Sequence, residues 1–186
     1  MTYSIRRLTR DDVHAYRAIR LEALTNHPEA FASSAEDFLE RSVEDHEDLL
    51  DALVFFGAQT PEGQLVGIMA FDHGIKREAH RGWLIQVYVK PEMRGTGCAR
   101  ALLDAILGEA RNEVLQVHLS VASHNEPALR LYQKAGFAIY GTDPRFQLVN
   151  GRFVDEHLMV RFFDRAEPSP HFEAAAPRVL QETTND

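Results

Sequence analysis

The chain is short of cysteine, of long apolar runs and of basic residues, and each shortage removes a class of answers. Cys98 is the one cysteine among 186 residues, so no intrachain disulfide can form and a reducing, cytoplasmic setting is expected. No run of about 18 apolar residues occurs, and the opening MTYSIRRLTRDD has no apolar segment of the kind that directs export. A membrane partner is therefore not expected. Twenty Lys and Arg stand against 28 Asp and Glu, a formal charge of −8, which argues against nucleic acid as a partner. The nine histidines include no His-x-x-x-His and there is no cysteine pair. Asp155-Glu156-His157 would alternate faces on a strand, so no metal is expected. Gly-x-Gly-x-x-Gly and Gly-Lys-Ser/Thr are also missing, which sets aside the dinucleotide fingerprint and the mononucleotide P-loop.

What remains is an ordinary soluble composition, 45% hydrophobic and 26% charged, on a length that suits one domain with a sizeable core. Its organising stretch is Trp83 to Ala110. A Val-, Ile- and Tyr-rich run predicts a buried strand that Pro91 stops. The turn Arg94-Gly95-Thr96-Gly97 then feeds a helix, with Ala99, Leu102, Ala105 and Ile106 on one side and Arg100, Asp104, Gly108 and Arg111 on the other. Strand, glycine turn and helix start aim free backbone N–H groups and about half a positive charge at one spot, a seat for a phosphate.

The turn itself, Arg94-Gly95-Thr96-Gly97-Cys98-Ala99, fits Arg/Gln-x-x-Gly-x-Gly/Ala. Downstream, Asn125-Glu126-Pro127-Ala128-Leu129-Arg130-Leu131-Tyr132-Gln133-Lys134-Ala135-Gly136-Phe137 fits Asn-x-x-Ala-x-x-Leu-Tyr-x-Lys-x-Gly-Phe. In that order, with a strand between, the two segments resemble the acyl-CoA loop and the following helix of the GNAT superfamily of N-acyltransferases, over roughly Tyr3 to Phe163. Local physics agrees. Asn125 is a good N-cap, Pro127 sits in the first turn, and Ala128, Leu131, Tyr132 and Ala135 form a helical stripe that Gly136 ends.

Along the chain, a strand at Ser4–Leu8 precedes a helix opened by Asp11 and Asp12, with Val13, Tyr16, Ile19 and Ala23 as its apolar stripe through Leu24. Glu29–Ser34 reads as a loop. Ser42 with Asp45 predicts a capping box for a helix to about Asp51. Leu53–Thr60 and Leu65–Asp72 predict a hairpin turning at Pro61–Gln64. His73–His80 connects to a strand over Gly82–Val89, and Val114–Val121 is another. Ala138–Thr142 and Arg152–Phe163 complete the sheet, with Asp143–Gly151 as the segment between them. The fold class is α/β (mixed α+β): a mostly antiparallel central sheet with helices on both faces, which is also the GNAT architecture. Residues 1–163 form the domain, and residues 164–186, with three prolines and little periodicity, read as a loosely held tail or a packing arm.

The resemblance implies acetyl transfer from acetyl-CoA to a primary amine by direct attack. The loop Arg94, Gly95, Thr96, Gly97, Cys98, Ala99 and Arg100 would hold the pyrophosphate. The Val87 N–H would face the acetyl carbonyl, and the Val89 main chain would bond the pantetheine arm. Tyr132 would protonate the departing thiolate, while Asn125 contacts the cofactor or orders its helix. Some members carry a Glu early in the central strand as base. Here that place is Trp83, so no base is assigned among Glu29, Glu78, His80 and Asp155; Gln86 is a poor one. The acceptor is a small-molecule or peptide amine, expected near Asn26–Ser34 and Asp143–Gly151. A homodimer is compatible, and a longer acyl donor or a non-catalytic acyl-CoA sensor of the same fold is the alternative.

Overall fold

The computed structural model describes residues 2–164. Of the expected tail, residues 164–186, all but Asp164 lie outside the described residues. Seven strands form one sheet: β1 (Ser4–Arg7), β2 (Val54–Gln59), β3 (Leu65–His73), β4 (Arg81–Val89), β5 (Gln116–Ala122), β6 (Ala138–Val149) and β7 (Arg152–Phe162). Their order is β1-β2-β3-β4-β5-β7-β6, antiparallel throughout except for β4 beside β5. Among the described residues, five helices cover the faces: α1 (Val13–Asn26), α2 (Ala35–Glu40), α3 (Val43–Ala52), α4 (Cys98–Ala110) and α5 (Glu126–Lys134). The expected mixed sheet with helices on both sides is what forms.

Two apolar layers result. On one face Leu102, Leu103, Ile106 and Leu107 of α4 pack on Val117, Leu119, Val121 and Met159. On the other, Val13, Tyr16, Ile19 and Leu24 of α1, with Phe38 and Leu50, pack on Phe55, Ile68 and Tyr88. Each such side chain contributes roughly 1.5–3 kcal/mol by leaving water, so both faces are firmly held. The buried stripe of α4 centres on Leu102, Leu103 and Ile106, while Ala99 and Ala105 are only half-buried.

Four local expectations change. First, the residues between Asp143 and Gly151 are strand rather than connection, because β6 runs on to Val149. The chain reverses at Asn150 and Gly151, which have φ of 49° and 75°, as a two-residue type I′ hairpin requires. An irregularity lies between Asp143 and Gln147. Second, the charged stretch before Ser42 holds α2, capped by the Ser34 hydroxyl, which accepts from the Asp37 N–H at 3.0 Å. Third, α1 includes a buried charge, Arg20, in its inward stripe. Fourth, Asp11 and Asp12 lie in a short 3-10 turn, Arg10–Asp12, and α1 proper begins at Val13 and continues to Asn26. The Ser42–Asp45 capping box forms as expected, with the Ser42 N–H donating to Asp45 at 2.8 Å.

Candidate active site

A cleft opens where β4 and β5 part. Their parallel pairing covers only Arg81, Gly82 and Trp83 against Gln116, Val117 and His118. Beyond Trp83 the β5-facing edge of β4 has no strand on it, so main-chain groups there that do not bond β3 are left open to the cleft. A bulge helps to part the strands. Tyr88 pairs with Ile68 and Ile85 with Ala70, so Gln86 and Val87 together face Met69. Gln86 adopts φ of 53°, and such an insertion bends and twists its strand. The side-chain oxygen of Gln86 accepts a 2.8 Å hydrogen bond from the Tyr16 hydroxyl, which ties the bulge to α1.

The glycine turn closes one end of the cleft. Gly95 and Gly97 have φ of 78° and 88°, conformations open to glycine at little cost. Gly97 caps α4, and Cys98 is the first helical residue. The first amides of α4 therefore point into the turn unpaired, with the positive end of the helix dipole behind them. Arg94 and Arg100 flank that spot. The Arg94 guanidinium donates to His27 Nε2 at 2.9 Å, and Arg100 grips both oxygens of Asp104 at 2.9 Å. At the other end, α5 begins at Asn125, whose side chain accepts from the Ala128 N–H at 3.3 Å.

The resulting cavity, about 590 Å³, brings together Val87, Val89, Arg94, Gly95, Gly97, Cys98, Ala99, Arg100, Asn125 and Tyr132. Every expected site residue is on its wall except Thr96, whose hydroxyl turns back to donate to the Met93 carbonyl at 2.7 Å. Thr96 thus shapes the turn from behind. Cys98 is 1% exposed and burial pushes its thiol up to about 11, so it stays a protonated core thiol at neutral pH. Tyr132 is buried, and burial pushes its phenol above the ordinary range. It packs edge-on to Phe137 with ring centroids 5.9 Å apart. Of the acids weighed as bases, Glu29 lines the cavity. Glu78 pairs with Arg81 at 2.8 Å, and Asp155 accepts from the Arg145 N–H at 2.8 Å.

A model of the acetyltransferase (GNAT) family matches residues 16–137. The chain belongs to this family. The match runs from the first turn of α1 to the end of the second motif and so takes in both segments that carried the resemblance. Among relatives, a mycothiol acetyltransferase from Nocardiopsis dassonvillei is 38% identical over 142 residues, covering 71% of this chain and 41% of that protein. The chain thus spans less than half the length of that relative. Among solved structures, a ribosomal-protein-alanine N-acetyltransferase from Brucella melitensis superposes with a TM-score of 0.73 at 27% identity, over 86% of this chain and 99% of that one. The structure of yncA from Salmonella typhimurium with its cofactor acetyl-CoA superposes with a TM-score of 0.77 at 21% identity, over 91% and 99% of the two chains.

Phe31 borders both the main cleft and a second cavity of about 470 Å³ that runs to Phe146, Gln147 and Leu148, so the two segments named for the acceptor, Asn26–Ser34 and Asp143–Gly151, meet in space. Two buried charges were missed in the sequence: Arg20 on α1, and Glu156, expected to share an alternating strand with its neighbours. The Asn150-Gly151 pair was the available signal for the hairpin that carries Phe146 to Leu148.

Proposed function

We propose that this domain transfers the acetyl group of acetyl-CoA to an amine by direct attack. The observation that carries the reading is convergence: the glycine turn, the start of α4 and the open edge of β4 all face one cleft that ends at Tyr132. The pyrophosphate fits the turn from Arg94 to Arg100, where backbone N–H groups and two guanidiniums meet its charge. The pantetheine arm follows the open edge of β4 and bonds the Val89 main chain. The thioester then lies near Val87, whose N–H donates to the carbonyl oxygen as negative charge grows on it.

The neutral amine attacks the carbonyl carbon, forming the C–N bond. As the tetrahedral centre collapses, the C–S bond breaks and the thiolate takes the Tyr132 proton. A proton shed by the nitrogen restores the phenol, and the net products are the amide, free CoA thiol and the proton lost from the original ammonium. Burial keeps this phenol protonated until a thiolate appears, while lowering the driving force for the transfer itself.

The test is release of free CoA thiol from acetyl-CoA across a panel of amines, amino acids and peptide N-termini, beside a thermal shift with acetyl-CoA alone. Stimulated release by one acceptor class is the expected result. A thermal shift without release across the panel would favour a non-catalytic acyl-CoA sensor, and no shift would overturn the donor assignment.

A further inference from the structure

Two buried charges of opposite sign stand without a counter-ion on the α1 face of the sheet. Arg20 is 5% exposed and its Nη1 has no hydrogen-bond partner. Its guanidinium carbon lies 4.4 Å from the centroid of the Phe31 ring. Stacking of this kind uses the flat face of the group and leaves its in-plane donors free. Burial draws Arg20 down to about 10, still a cation at neutral pH. Its place is telling. Tyr16, one turn earlier on α1, is bonded to Gln86 at the bulge beside Val87, and Phe31 walls both cavities. Arg20 itself lines neither cavity and lies one side chain behind both, against the Phe31 ring.

Glu156 on β7 is 6% exposed. Its Oε1 accepts from the Gln147 side chain at 3.3 Å, and its Oε2 has no partner. It lies in register with Ala122 of β5 and Asp143 of β6. Val121 belongs to the α4-side core, so its neighbour Ala122, and with it Glu156, projects to the α1 side. The short 3-10 turn Pro28–Ala30 packs on both β5 and β6, and β7 runs between those strands, so the turn crosses above Glu156. Ala122 lines the main cleft and Gln147 the second cavity. Among the described residues no carboxylate pairs with Arg20 and no cation with Glu156.

A buried charge with no partner is costly, and the cost is recovered only by an opposite charge in good geometry. Here one cation lies behind Phe31 and one anion beside Ala122 and Gln147, residues that line the two cavities, and each charge has an atom unused. We propose that the acceptor is a small zwitterion, an amine carrying a carboxylate as a free amino acid does, with Arg20 binding its carboxylate and Glu156 receiving its ammonium. This rests on the acetyltransferase reading above and narrows its acceptor class. A polyamine would leave Arg20 unpaired and bring a second cation towards it, while a carboxylate without an amine would leave Glu156 unpaired.

The experiment compares free amino acids with their carboxamides and with simple alkylamines, using acetyl-CoA and the full chain. Free acids are expected to exceed the matching carboxamides in kcat/KM by at least about 100-fold, because the carboxamide leaves a buried guanidinium unpaired. In Arg20→Gln that ratio falls towards one. In Glu156→Gln, KM rises for acids and carboxamides alike. Acetyl-CoA should still raise the melting temperature of both variants, which certifies the fold and the donor cleft. Arg20→Met, which removes the unpaired cation, should melt no lower than the parent and should lose the acid preference as well. Equal rates for acids and carboxamides in the parent, or an unchanged ratio in Arg20→Gln, would overturn the proposal. Turnover of alkylamines with no acid preference sinks this inference alone, whereas absence of any acetyl-CoA shift in the parent sinks the donor reading beneath it.

Discussion

Replacing Tyr132 by Phe separates chemistry from packing with unusual clarity. The ring is 4% exposed and rests against Phe137, contacts that Phe reproduces. Burial alone pushes the phenol up, and among the described residues its hydroxyl makes no hydrogen bond. Deleting that hydroxyl thus breaks no protein contact, and the change in stability should stay within about 0.5 kcal/mol, or ~1–2 °C in melting temperature. Turnover should fall about 10²–10⁴-fold if the phenol protonates the departing thiolate, which is ~2.7–5.5 kcal/mol of barrier. KM for acetyl-CoA should move less than about threefold, since the pyrophosphate and the pantetheine arm meet other residues. The assay is steady-state thiol release with saturating acceptor, beside a melting curve on the same sample. Turnover within threefold of the parent would remove Tyr132 from the mechanism. A melting temperature lowered by more than about 5 °C, with loss of acetyl-CoA binding, would instead show that the ring's role is structural.

Cys98, buried with its thiol pushed up to about 11, should resist iodoacetamide at pH 7.5 in the native protein and react readily once unfolded; full native labelling within minutes would contradict its placement. His118 is 7% exposed and burial lowers it to about 4, against about 6.5 in the unfolded chain. The unfolded state therefore binds the extra proton, so this contribution to stability is complete above pH 6.5 and is lost as pH falls towards 4, by at most about 3 kcal/mol. Urea midpoints for the parent and His118→Gln should converge as pH drops from 7.5 to 4.5, and parallel curves would refute the assignment. A Cβ at Gly82 would lie 2.2 Å from Phe71 Cζ and 2.9 Å from the Asp72 carbonyl, so Gly82→Ala should cost roughly 3 kcal/mol. Gly108→Ala, with nothing within 4 Å in the last turn of α4, should add about 0.5 kcal/mol, and equal melting temperatures for the two variants would contradict this packing.

The glycine turn and the α5 start, the proposed donor side, were legible because their demands are backbone demands, which reach the sequence as residue types at fixed spacing. Gly95 and Gly97 stand where φ is positive, Asn125 stands where a cap is needed, and Pro127 where a missing N–H is harmless. A reader of one chain can find such positions without knowing what packs on them. The proposed acceptor side draws on side chains from α1, the Pro28–Ala30 turn and the last two strands, and no local rule joins them. Arg20 follows Tyr16 by four residues and so lies on the inward stripe of α1 by geometry. Its charge hides it, because a lone arginine is ordinarily solvent-facing. Glu156 is concealed in the same way, flanked on its strand by Asp155 and His157, whose side chains face the other layer. What distinguishes both residues is a missing partner, and that absence exists only once the whole sheet has closed around them. The two halves of the site thus differ in kind. A pyrophosphate can be met by main-chain amides that any sequence supplies once the turn is right, whereas choosing among amines takes charged side chains that the fold must bury at a cost. Substitutions at Arg20 and Glu156 should therefore change which amine is accepted while acetyl-CoA binding persists. Alanine at Gly97 would do the reverse, weakening acetyl-CoA for every acceptor alike.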